Sequence, residues 1–393
     1  MKWYILVHYG EIGLKLSNMN YFVDKILKVI REKLQGKFRK TFKVTHTLKR
    51  ILVDLPEDFD VGRDSAEYVE VLNKVFGVKN FNFVLEGVTE LEELGKQIQA
   101  NLPAIERAES FKVDVKRSMI LPYKSPEAER YLGGVLLSNG LNLKVKLKNP
   151  DFAVWVEMFN NKSYFGFKRY AGLGGMPTGS QSKLVSLLSA GFDSPVASYM
   201  LMKRGARVIF VHFSGYPFGD KQSVDNVESL VKILSEYQDF SKLYIVPFGQ
   251  IQKDIAMNFE VPEKQRTVIY KRLMLRIAQK ITFDEKADGM ITGDSYGQVA
   301  SQTPENLLAI HEATILPLFQ PLIGFDKEEI IALAEKIGTD KISSMPCVDT
   351  CSMFGAIHPE IRANLLDLKK YEENLPMDKW INESVKNSEI KML

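Results

Sequence analysis

With 393 residues, the chain is long enough for two or three domains, each with its own core. Its 45% hydrophobic and 26% charged content excludes a disordered or fibrous chain, and no apolar run reaches the length that spans a bilayer. The net charge of +3 conceals an asymmetry: residues 1–180 hold 28 Lys and Arg against 21 Asp and Glu, and the remainder holds 24 against 28. A polyanionic partner is therefore expected on the amino-terminal half, although a merely solvated basic surface gives the same count. Two cysteines offer no disulfide framework, and His8 and Glu11 interrupt the opening apolar residues. A reducing cytoplasm, no signal peptide and no membrane partner are the expectation.

In chain order, residues 2–8 read as a strand and residues 17–34 as an amphipathic helix with Phe22, Ile26, Val29 and Ile30 on its apolar face. Residues 43–53 return as strand, so residues 1–60 read as a small α+β domain. The six Lys and Arg between Gly36 and Arg50, with no acid among them, suit an RNA contact or an exposed hairpin edge. Over residues 61–167, expected to make a second α+β unit, helices are read at 64–76, 91–108 and 131–139 and strands at 111–117, 153–157 and 163–168. The stretch 141–148 alternates, which places Lys144, Lys146 and Lys148 on one face and Leu143, Val145 and Leu147 on the other. With Lys116 and Arg117, these basic clusters in one small domain favour RNA over a solvated face. Residues 168–182 are rich in Gly and small residues and read as an interdomain linker. Within it, residues 174–180 fail as a Walker A loop, because Ser180 and Gln181 stand where Lys and Ser/Thr belong.

From residue 183 to 393, strands and helices alternate as in a doubly wound parallel sheet, whose ligands sit beyond the carboxyl ends of the strands. The ends of interest are Leu187-Leu188, Val211-His212-Phe213 and Ile291-Thr292-Gly293. After Leu188 come small or polar residues up to Ser194, then Pro195 as an expected first helical residue and Gly205 as a C-cap. A loop feeding a helix N-terminus gathers unpaired N–H groups and the positive end of the helix dipole, which makes a phosphate site. Gly191 is expected to relax the backbone, and Ser189 and Ser194 to add hydroxyl donors. Asp193 beside a phosphate cradle needs a metal or a bridging donor, unless it is an ordinary helix N-cap. Asp326 and Glu329 have the spacing of a capping box, with Lys327 between them suited to stabilising phosphoryl charge. Cys347 and Cys351 lack the four ligands of a closed zinc site and stay open between buried thiols and a chemical role.

The loop Ser189-Ala190-Gly191-Phe192-Asp193-Ser194 resembles the SGGxDS loop of the ATP pyrophosphatase superfamily, with Ala190 in place of a Gly. Tyr9-Gly10-Glu11-Ile12-Gly13-Leu14-Lys15 resembles the YGEIxLK opening of the ThiI family, tRNA 4-thiouridine synthetases that also serve thiamine synthesis. Thr292-Gly293-Asp294 through Gln302 and the Asp326-Lys327-Glu328 segment are similar to further ThiI motifs, Asp294 standing for a usual Glu. The resemblance runs from end to end and implies a ferredoxin-like domain, a THUMP domain that binds RNA and an ATP pyrophosphatase domain.

It further implies nucleotide contacts from Leu187, Leu188, His212 and Phe213, from Gly293 and Gln302, and from an arginine matched to Arg272, with the neighbouring Lys271 and Arg276 as alternatives. Asp193 and Lys327 are implied for catalysis, with ATP and Mg²⁺ as cofactors and tRNA as the partner. The expected chemistry is adenylation of a tRNA uridine at O4, then displacement of AMP by sulfur, with a cysteine desulfurase as persulfide donor. Many family members carry an acceptor cysteine on an appended rhodanese domain, which this sequence is expected to lack; Cys351 matches the family's catalytic cysteine, with Cys347 as its resolving partner. The oligomeric state stays open, a homodimer included.

Overall fold

A computed structural model of the chain describes residues 1–103, 108–138, 143–346 and 354–393. Contacts divide it into two units, Met1–Pro177 and Thr178–Leu393. Among the described residues, no helix is long and apolar enough to cross a membrane.

In the first unit, β1 (Trp3–Tyr9), α1 (Met19–Phe38), β2 (Val44–Thr47), β3 (Arg50–Asp54), α2 (Val61–Leu72) and β4 (Val78–Gly87) make a β-α-β-β-α-β half. Its strands lie in the antiparallel order β2-β3-β1-β4. The alternation of β1 decides the layering: Ile5 and Val7 pack with Phe22, Ile26, Val29 and Ile30 of α1, whereas Leu6 packs with Leu52, Val84 and Phe159. The second half consists of α3 (Leu91–Ala100), β5 (Ser110–Arg117), α4 (Ser125–Ser138), β6 (Lys144–Val145), β7 (Phe152–Phe159), β8 (Lys162–Gly166) and β9 (Arg169–Ala171). Pairing of β4 with β8 joins both halves in one sheet.

Three expectations change here. The first half ends near Gly87 instead of residue 60, because the helix and strand after residue 60 complete its sheet. The stretch 168–182 is partly strand: Arg169–Ala171 pairs with β4, and a Cβ on Gly172 would stand 2.3 Å from the Val78 carbonyl oxygen. Gly172 serves close backbone packing, whereas Gly174, Gly175 and Gly179 supply positive φ. Among the described residues of the alternating stretch, only Lys144–Val145 becomes strand, pairing with the start of β5. Leu143 packs against the core, but Val145 and Leu147 stay 57% and 75% exposed beside the lysines, so the expected half-buried face does not extend past its first residue.

A buried carboxylate clamps the two halves. Glu157 of β7 pairs with Arg50 of β3, and its Oε1 lies 2.8 Å from His8 Nε2 of β1. Burial by itself would raise the Glu157 carboxyl, but His8 and Arg50 more than offset it and hold it at about 2, below its ordinary 4.5. A depressed carboxylate contributes stability that is complete above pH 4.5 and is lost as pH falls toward 2. On the order of 3 kcal/mol is at stake. Urea midpoints measured across that window should fall for the parent chain and fall less steeply for Glu157→Gln, which starts lower and keeps only the slope of the other depressed carboxylates, Asp294 among them.

The second unit runs β10 (Lys183–Leu187), α5 (Asp193–Lys203), β11 (Arg207–Ser214), α6 (Gln222–Ser235), β12 (Lys242–Pro247), α7 (Gly249–Met257), α8 (Arg266–Asp284), β13 (Met290–Ile291) and α9 (Pro304–His311). β14 (Leu318–Phe319), α10 (Lys327–Ile337), α11 (Asp340–Ser343), α12 (Leu365–Glu373), α13 (Met377–Lys386) and β15 (Glu389–Met392) complete it. The strand order is β14-β13-β10-β11-β12-β15, parallel except for β15. The doubly wound sheet thus carries an antiparallel edge that its short alternating sequence does not announce. Because β10 is flanked by β11 and β13, the chain order reverses beside it, and that switch point is where such sheets open a crevice.

Candidate functional site

A cavity of about 730 Å³ opens at the carboxyl ends of β10 and β11, lined by Leu187 to Gly191, Asp193, Ser194, His212 and Phe213. The loop after β10 closes on itself: the Ser189 N–H donates to Ser194 Oγ at 2.8 Å. Behind it, Ser186 Oγ and Ser198 Oγ lie 2.7 Å apart, and Ser198 Oγ donates to the Ser194 carbonyl at 2.8 Å. The strand and helix are therefore braced through hydroxyls. Helix α5 starts at Asp193, two residues before the expected Pro195.

Gly191 does not adopt a left-handed φ, contrary to expectation, and neither does Ala190, so the Gly-to-Ala departure costs no strain. What Gly191 contributes is space: a Cβ there would meet nothing closer than 3.6 Å, so the loop's exposed side stays open. The constrained glycine is Gly293, where a Cβ would stand 2.7 Å from the Ser194 N and 2.9 Å from the Asp193 carbonyl carbon. Only a bare Cα lets the end of β13 press against the first turn of α5.

Asp193 does not cap its helix. Its carboxylate accepts from Lys327 Nζ at 2.6 Å and from Gln298 Nε2 at 3.0 Å. Lys327 opens α10, where Asp326 and Glu329 form the expected capping box, and its ammonium also lies 5.5 Å from the Phe192 ring centroid. Residues 134 positions apart thus meet at the loop after β10, and a lysine is a donor to Asp193.

The cavity floor holds a second charged pair. Asp294 accepts from Lys271 Nζ at 3.2 Å, Thr292 Oγ1 at 2.6 Å, Gln320 Nε2 at 3.1 Å and Gln302 Nε2 at 3.3 Å. Burial pushes its carboxyl up, yet Lys271 and these hydrogen bonds outweigh burial and hold it well below the carboxylate range. Arg272 is corrected here: its side chain is completely buried, bidentate on Glu372, and also donates to Glu312 and to the Ala309 carbonyl. It ties α8 to α9 and α12 and does not line the cavity, whereas Lys271 does. The spacing of the lining residues Thr267, Val268, Lys271, Met274 and Leu275 is one helical stripe, from which Arg272 is turned by about 100°. That stripe was the signal for Lys271, and Gln298 had none.

His212 is buried, its Nδ1 3.0 Å from the Leu188 carbonyl oxygen and its Nε2 3.3 Å from Ser223 Oγ. An Nδ1–H donor and an Nε2 acceptor satisfy both contacts in the neutral ring. Phe213 lines the cavity while packing edge to face on Phe248. Gln302 lines it from the turn before α9. Cys347 and Cys351 lie outside the described residues; Met345 and Pro346 on one side and Gly355 and Ala356 on the other line the cavity.

In the first unit, Lys144, Lys146 and Lys148 are exposed at the sheet edge opposite the start of β5. Lys116 and Arg117 sit at its far end, about 20 Å away along the strand, so the fold does not merge the two clusters. Asp151 of the Asn149-Pro150-Asp151 turn accepts from the Ser110 N–H at 2.9 Å and Ser110 Oγ at 2.6 Å, a structural tie.

Family models match three stretches of the chain: a ThiI ferredoxin-like domain over residues 4–82, a THUMP domain over 88–167 and ThiI, described as thiamine biosynthesis protein, over 179–377. A probable tRNA sulfurtransferase of Acetivibrio thermocellus is 39% identical across 99% of this chain and 98% of its own length. Another from Moorella thermoacetica is 36% identical across 98% and 96%. The crystal structure of a 4-thiouridine synthetase in complex with RNA and bound ATP superposes with a TM-score of 0.85 at 31% identity, each chain fully covered. A Pyrococcus horikoshii protein shares the fold at a TM-score of 0.64 and 24% identity, over 86% of this chain and 99% of its own.

Proposed function

The chain belongs to the ThiI family, and from that premise we propose how its own residues carry out the family's reaction. It is an ATP-binding tRNA sulfurtransferase, a 4-thiouridine synthetase. The observation that carries the residue assignment is the Asp193–Lys327 pair at the mouth of the phosphate loop.

ATP lies with its phosphates against the loop 189–194 and the first turn of α5, and its base toward Leu188, His212 and Phe213. Uridine O4 attacks the α phosphorus, pyrophosphate leaves, and the base carries AMP on O4. A sulfur nucleophile then attacks C4, and AMP departs with the original oxygen. Lys327 stabilises the charge that develops on the transferring phosphoryl group. Among the described residues, no three His, Cys, Asp or Glu side chains gather as a metal site. Mg²⁺ would be held by Asp193, in exchange for one of its two donors, together with phosphate and water oxygens, and would offset phosphate charge.

Sulfur reaches the cavity as a persulfide from a cysteine desulfurase, with Cys351 carrying or releasing it and Cys347 resolving Cys351 as a disulfide. The cavity-lining residues on both sides of that segment support this reading. The same sulfur transfer also serves thiamine thiazole synthesis. Incubation with tRNA, ATP, Mg²⁺ and sulfide, followed by nucleoside mass spectrometry, tests the whole: 4-thiouridine and pyrophosphate should appear together, and neither without ATP.

The basic edge of the first unit contacts tRNA. Changing Lys144, Lys146 and Lys148 to Ala should weaken tRNA binding and reduce the slope of log affinity against log salt by about two to three, as phosphate contacts are lost. An unchanged slope in filter binding from 50 to 200 mM salt would show that this edge does not touch RNA.

A further inference from the structure

The loop that joins two cavity-lining residues, Phe213 and Ser223, bears a rim of aromatic rings faced by lysines that none of the roles above uses. The loop between β11 and α6 carries Tyr216 and Phe218, 53% and 41% exposed, between the lining residues Phe213 and Ser223. Backbone contacts lock this loop. Both the Phe218 and Gly219 N–H groups donate to the Gly215 carbonyl, and a Cβ on Gly249 would meet that oxygen at 2.1 Å. Phe354 meets Phe218 edge to face with centroids 5.7 Å apart. It holds φ +58, a strained conformation for an aromatic residue, directly beside the lining residues Gly355 and Ala356.

Two cations complete the rim. Lys253 Nζ lies 5.0 Å from the Phe218 ring centroid and Lys221 Nζ 5.3 Å from that of Tyr216. Among the described residues, neither lysine has a carboxylate within ion-pair distance. The adjacent acids are engaged elsewhere: Asp220 accepts from the Gln222 N–H, and Asp254 from Gln250 Nε2. Exposed rings on a rigid loop, each with an ammonium at its face, offer stacking and positive charge together.

We propose that this rim is a stacking platform for unpaired nucleotides flanking the target uridine, an inference that rests on the tRNA sulfurtransferase reading. A uridine must leave its stack to bring O4 into a cavity, and its neighbours then lose their own stacking partners. Aromatic faces replace those partners, and the lysines offset the phosphates between them.

The test uses the full chain with tRNA, ATP, Mg²⁺ and inorganic sulfide. Tyr216→Ala with Phe218→Ala should raise the KM for tRNA about tenfold or more, with kcat and the KM for ATP within about twofold of the parent. Phe218→Trp should restore it. Lys221→Ala with Lys253→Ala should also raise the KM and flatten its salt dependence. An unchanged KM in a chain that still makes 4-thiouridine overturns the platform and leaves the activity standing. A parallel rise in the KM for ATP overturns it in favour of a packing role. A defect seen with a persulfide protein donor but not with sulfide overturns it in favour of a protein-docking surface. A parent chain that makes no 4-thiouridine takes the activity reading down first, and the platform with it.

Discussion

Asp193→Asn is expected to lower tRNA-dependent pyrophosphate release roughly a hundred- to a thousandfold, the scale seen when one preorganised electrostatic group is removed from a charged transition state. The change keeps size but leaves one acceptor oxygen where there were two, and removes the charge that holds Lys327 at 2.6 Å. Asp193 also accepts from Gln298, a contact the amide oxygen of Asn can keep, so the loop itself should survive. Circular dichroism and tRNA affinity should accordingly match the parent. Lys327→Met should be similarly deleterious, and the double variant should lose much less than the two losses combined, because each single change already breaks the same unit. Additive losses would mean that the two residues act independently, and near-parental turnover of Asp193→Asn would remove it from catalysis.

The second large effect concerns the cysteines. Cys351→Ser is expected to abolish sulfur transfer from a persulfide donor, since a hydroxyl cannot take up sulfane sulfur. ATP and tRNA binding should persist. Cys347→Ser should be milder, slowing turnover once a disulfide can no longer form, while thiolation from inorganic sulfide should bypass both defects in part. Parental rates of persulfide transfer in both single variants would refute the cysteine mechanism. The experiment reads 4-thiouridine per tRNA by nucleoside mass spectrometry, with radiolabelled sulfur on the protein as a second readout.

Much of this was legible because it is local. The loop 189–194, the capping box of Asp326 and Glu329 and the alternation of β1 are each set by residues a few positions apart, whose geometry the backbone imposes before any tertiary contact forms. The THUMP boundary was misplaced because residues 61–87 look like any helix and strand; only their pairing with β1 assigns them to the first half. The glycine-rich stretch near residue 172 read as a linker for a related reason, since a glycine needed for close approach has the same sequence signature as one that confers looseness.

The family, the α/β architecture of the second unit and the loop between β10 and α5 could be read from the sequence, because those rest on contiguous motifs and short-range periodicity. Which charged groups line the cavity depends on long-range packing. Arg272 and Lys271 differ by one position on a helix, and the rotation of about 100° per residue sends one into an ion network with Glu372 and the other to the cavity beside Asp294. Asp193 and Lys327 lie 134 residues apart, and their pairing follows from how β10, β13 and the helices after them stack, a long-range outcome that no local spacing encodes.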